Sequence, residues 1–72
     1  MYRFVRLEVT KSRGRNVKER LFILYEGDLQ GLFQKIKGTK FYSIYRYSFE
    51  IHYKFFQKTS DGWLMIPDPR ID

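Results

Sequence analysis

A small α+β fold follows from three features of this 72-residue chain. Aromatic side chains alternate over residues 45–55, a single apolar helical stripe runs over residues 29–36, and hairpin punctuation stands at residues 12–16 and 59–62. The elements come in the order ββαββ, which predicts a mainly antiparallel sheet with one short helix packed on its apolar face. Residues 1–72 read as a single domain: a basic hairpin over 2–26, a helix over 28–37, a long aromatic strand and hairpin over 40–66, and an irregular, frayed tail over 67–72. The helical crossover between the second and third strands also permits one parallel pairing.

The first strand covers residues 2–11. Val5, Leu7 and Val9 form its apolar side, and Tyr2, Phe4, Arg6, Glu8 and Thr10 lie opposite. Gly14 and Asn16 are suited to the positive-φ positions of the connection that follows. In the second strand, residues 18–26, Leu21, Ile23 and Tyr25 share one side and Phe22 and Leu24 the other. Apolar residues on both sides predict an interior strand, or one with a face reserved for a partner.

Asp28 is a helix N-cap residue and Gly38 a natural stop. Leu29, Leu32, Phe33 and Ile36 stand at i, i+3, i+4 and i+7, one face of a helix that must dock on the sheet to persist. Gly31 inside it weakens the helix by about 1 kcal/mol relative to alanine and permits close packing on the sheet.

Eight of the fourteen aromatic residues fall in residues 41–56. Tyr45, Tyr47, Phe49, Ile51, Tyr53 and Phe55 take one parity; Arg46, Ser48, Glu50, His52 and Lys54 take the other. As one straight strand this stretch would reach roughly 53 Å. A domain of this size has a radius of gyration near 11 Å and a diameter near 30 Å. It must therefore bend, bulge or project, and the break is placed near Ser43 and Ile44. A turn at Tyr47 and Ser48 is the second option, disfavoured because no Gly, Pro, Asn or Asp marks it. Trp63 is expected in the core, closing the last hairpin.

Fourteen basic residues against eight acidic ones give a net charge of +6. Residues 11–20 carry +4 and residues 35–58 carry +5, while residues 21–34 and 59–72 each carry −2. Such a balance favours an anionic partner. No apolar run approaches the ~20 residues of a spanning helix. Charges stand where a secretion signal would be apolar. The expectation is a soluble, cytoplasmic protein without membrane contact.

Chemistry-bearing residues point to binding. The absence of cysteine and a single histidine leave no metal-ligand pattern, and no Gly-rich phosphate loop occurs; no metal or cofactor is expected. Lys11, Arg13, Arg15, Lys18 and Arg20 cluster at and beside a hairpin tip, where a basic ribbon can pair phosphates. The plainer alternative is a solvated loop that opposes aggregation. Tyr42, Arg46 and Lys54 form a second candidate set on the polar side of the aromatic strand. Phe4 with Arg6, and Phe22 with Arg20, are candidates to join it as a stacking platform for bases. His52, with Glu50 beside it, suggests a small ribonuclease, disfavoured because an open strand surface offers no pocket. The order of elements differs from that of the RNA-recognition motif, and no stretch matches its aromatic signature.

The function expected is that of a small basic nucleic-acid-binding protein, non-enzymatic, holding DNA or RNA mainly by its phosphates. The alternative is an accessory subunit or inhibitor that docks on an acidic surface of a larger complex. A homodimer is expected as one way to satisfy the surplus apolar surface, with two aromatic strands paired edge to edge.

Overall fold

The structure, a computed structural model, describes residues 1–70. Strands β1 (Tyr2–Ser12) and β2 (Arg15–Gly27) form a long hairpin. Helix α1 (Leu29–Ile36) follows, then β3 (Ile44–Tyr45), β4 (Phe49–Thr59) and β5 (Gly62–Ile66). Every pairing is antiparallel. β2 is an edge strand, β1 and β4 are central, and β3 and β5 share the far edge of β4. The protein is thus a small α+β domain with a five-stranded antiparallel sheet and one short helix.

The order is ββαβββ, because a turn at residues 46–48 splits the aromatic stretch. Arg46 N donates to Phe49 O at 2.9 Å there. The turn forms without turn-type residues because Ile44 and Tyr45 gain ladder partners in Ile51 and Glu50. It breaks the alternation, so Tyr45 points away from Phe49, Ile51, Tyr53 and Phe55. Tyr47 stands 84% exposed at the bend. These two tyrosines are surface residues, contrary to their parity.

Two strand assignments also change. β2 is an edge, not an interior strand. A bulge, marked by the register shift between Phe4 and Val5, lets Tyr25 face Phe4 while Ile23 faces Val5. Tyr25 therefore leaves the side of Leu21 and Ile23. At the β1–β2 turn, Arg13 (φ 53°) and Gly14 (φ 76°) hold the two positive-φ positions. Asn16 instead pairs with Lys11 inside the ladder.

The helix docks on the Phe4 side of β1, not on the Val5 side. Phe4, Leu32, Ile36 and Phe55 make the buried centre, with the Phe4 and Phe55 rings 4.9 Å apart and Phe41 4.7 Å from Phe4. Val5 and Val9 are buried too, but by their neighbours within the sheet. Phe4 is therefore a core residue, not a stacking platform.

Asp28 caps α1 as its sequence implies: its carboxylate accepts from Gly31 N at 2.8 Å. Gly38, at φ 73°, ends it. The tail over residues 67–70 is irregular but tied down. Arg70 Nη1 donates to Ile36 O (2.8 Å) and Thr39 O (2.6 Å), while the same guanidinium grips Asp68. Residues 71–72 of the predicted tail lie outside the described residues. One helix over part of one sheet leaves a flat body of 41 × 31 × 20 Å with a radius of gyration of 13.6 Å, longer than the length-based figure because the hairpin projects.

Candidate nucleic-acid interface

Directly opposed residues of an antiparallel pair point to the same side of the sheet. The register can therefore be read as rows across the helix-bearing face. Beyond the helix, Phe22, Arg6 and Tyr53 form one row, and Arg20, Glu8 and Ile51 the next. Lys18, Thr10 and Phe49 form a third, and Arg15 stands opposite Ser12 toward the tip. A second bulge, between Thr10 and Lys11, brings Arg15 to the same side as Lys18 and Arg20. Arg13 occupies the turn itself.

Four of the predicted residues thus come together: Arg13, Arg15, Lys18 and Arg20, all exposed. Arg46 joins them at this end of the sheet. The bond from Lys11 N to Ser48 O (2.8 Å) places the 46–48 turn beside the end of β1. The Arg46 guanidinium donates to Tyr45 O at 3.0 Å and otherwise faces outward.

The remaining three do not join. Lys11 lies on the opposite, helix-free face and is held by the Glu50 carboxylate. Lys54 is on that face as well, opposite Val5. Tyr42 is exposed, but it sits near the helix C-terminus in a groove with Phe41, Asp68 and Arg70. The polar side of the aromatic strand is therefore separate from the hairpin cations.

Phe22, Arg6 and Arg20 do share a face, as their parity suggests, but their neighbours are Phe49, Ile51 and Tyr53 rather than His52 and Lys54. Phe22 and Phe49 are the exposed rings of these rows. Phe49 shares the apolar parity of Tyr53 and Phe55, which predicts a core position, but the short helix does not extend over its row. Arg6 Nε lies 2.9 Å from Glu8 Oε2, yet it is shut off from solvent without an aligned hydrogen bond. That guanidinium is incompletely satisfied by its own neighbours.

On the helix-free face, Ser43 Oγ, His52, Glu50 and Lys11 form a continuous polar chain. His52 Nδ1 is 3.1 Å from Ser43 Oγ, and Nε2 is 2.9 Å from Glu50 Oε1. Hydrogen bonding to Lys11 and then His52 pulls the Glu50 carboxyl below the usual glutamate range, against the opposing effect of desolvation. The chain ties the end of β1 to β4 and to the segment entering β3. Tyr45 lies edge-on to the His52 ring at 5.3 Å.

Trp63, expected in the core, is on the helix-free face, with the Arg3 guanidinium 4.0 Å above its ring. No group of three His, Cys, Asp or Glu side chains gathers into a metal site among the described residues. No helix among them is long and apolar enough to cross a membrane. Comparison with protein-family models, with curated proteins and with solved structures returned no match.

Proposed function

We propose that the protein is a small non-enzymatic nucleic-acid-binding protein of the cytoplasm, which holds the DNA or RNA backbone with little sequence readout. The observation that carries this reading is the register of the hairpin. It sets Arg15, Lys18 and Arg20 on one face with Arg6, next to the uncovered rings of Phe22 and Phe49. Cations spaced along a strand pair pair phosphates, and adjacent rings stack on bases whatever their identity.

The turn supports the reading. An arginine at positive φ is a conformation that L side chains pay for by roughly 1–2 kcal/mol. Glycine would fill the site without that cost, and asparagine with less of it. A cation kept at the tip despite the cost fits a role at the surface.

The test is binding of labelled single- and double-stranded oligonucleotides at rising salt. Affinity is expected to fall by an order of magnitude or more between about 50 and about 200 mM salt. The variant with Arg15, Lys18 and Arg20 changed to alanine is expected to lose most of it. No binding at the lower salt, or equal binding by the triple variant, overturns the proposal.

A further inference from the structure

The helix-free face of the sheet has no layer over it, although its β1–β2 half is apolar. Val5 and Leu7 of β1 are flanked by Ile23 and Leu21 of β2 on one side and by Lys54 and His52 of β4 on the other, and Phe56 and Met65 add apolar surface in the neighbouring row with Arg3. Leu21 is 61% exposed, Ile23 51% and Met65 59%. A shallow groove of about 110 Å³ between Ile23, Leu21, Phe56 and Trp63 opens on the same face. A sheet with an apolar face ordinarily buries it against a second layer, and α1 is on the other side.

The geometry points to a second copy of this chain as that layer, packed sheet against sheet across a two-fold axis. Self-packing brings a patch against itself, so it excludes a surface of one sign. This face meets the condition. Arg3 pairs with Glu26 at 3.1 Å and Lys11 with Glu50, and with Lys54, Lys58 and Glu19 the whole face holds four cations against three carboxylates. The rows of the helix-bearing face beyond the helix, where Arg6, Arg15, Lys18 and Arg20 stand with Glu8, would repel their copy. Size is no obstacle: the molecule's two longer extents of 41 and 31 Å leave room on this side for the roughly 800 Å² per partner that a stable interface buries.

The sheet edges are poorer candidates. β4 has β1 along one side and β3 and β5 along the other, so two aromatic strands cannot pair edge to edge. β2 is an edge, but its two bulges and its charges Lys18, Glu19 and Arg20 oppose strand addition. Sheet-to-sheet packing would also leave both basic hairpin faces outward, on opposite sides of the dimer.

Sedimentation equilibrium of nuclease-treated protein, over about 1 to about 500 μM, tests the dimer. The expected result is a mass rising from one chain to two, with Ile23→Lys raising the dissociation constant at least tenfold and leaving the circular dichroism spectrum intact. Leu21→Lys is the second variant should Ile23→Lys fail to fold. The combined variant Arg15→Ala/Lys18→Ala/Arg20→Ala is expected to dimerise normally, which separates this inference from the binding role. A single-chain mass at all concentrations, including one caused by a preference for a different protein, overturns it. So does a dimer that both lysine variants leave unchanged.

Discussion

The Tyr25 hydroxyl stands where a side chain on residue 31 would have to be. It donates to Asp28 O at 3.0 Å and reaches Asp28 Oδ1 at 3.3 Å. A Cβ at residue 31 would come within 2.9 Å of Asp28 Oδ1 and closer still to the tyrosine oxygen. One glycine therefore lets β2, the helix cap and the helix meet.

Gly31→Ala is accordingly expected to destabilise the protein. Alanine favours the helix by about 1 kcal/mol, but overpacking costs typically about 1–3 kcal/mol. The melting temperature should fall. Changing Tyr25 to leucine removes the nearer obstacle and leaves only Asp28 Oδ1 to shift, so Tyr25→Leu/Gly31→Ala should lose less than the two single variants combined, as thermal unfolding would show.

Arg13→Asn should do the opposite. Asparagine tolerates the φ of +53° at this position better than arginine does, and a gain of about 0.5–1 kcal/mol is expected. The same change removes a tip cation, so thermal unfolding and oligonucleotide binding should move in opposite directions.

The two faces should differ in their effect on binding. Each phosphate contact removed lowers the slope of log affinity against log salt by about 0.7–0.9. Arg20→Ala should produce such a change. Lys54→Ala, on the other face, should leave the slope as it was.

Glu50 makes stability depend on acid. Its carboxyl is lowered in the folded chain, first by hydrogen bonds from Lys11 and His52. A lowered carboxyl contributes fully above its unfolded value, and the contribution is lost as pH falls through the folded one. Denaturant melts should therefore weaken below the usual glutamate range. Glu50→Gln should flatten that part of the profile, while a profile identical to the parent would refute the assignment.

Arg70 holds the tail to the helix. With its bonds to Ile36 O and Thr39 O removed, Arg70→Ala should lower the melting temperature by several degrees and speed amide exchange at the end of α1. Arg70→Lys should recover little, because one ammonium cannot span both carbonyls and Asp68.

Local chemistry decided much of this protein. Asp28 and Gly38 bound the helix, Leu32 and Ile36 set its buried side, the Thr59–Gly62 turn forms, and the cations concentrate at a hairpin: each depends on residues within a few positions of one another. Which face carries the helix, where Tyr25 points, and which cations meet were decided by the assembled sheet. Each of these turns on a bulge or on an unmarked turn. One extra residue in β2 reverses the sidedness of everything after it, and three residues at 46–48 detach Tyr45 from the face of Phe49. Alternation within a strand says which side chains travel together. Only pairing with a neighbouring strand says toward what, because the hydrogen bonds that set register join residues far apart in the chain.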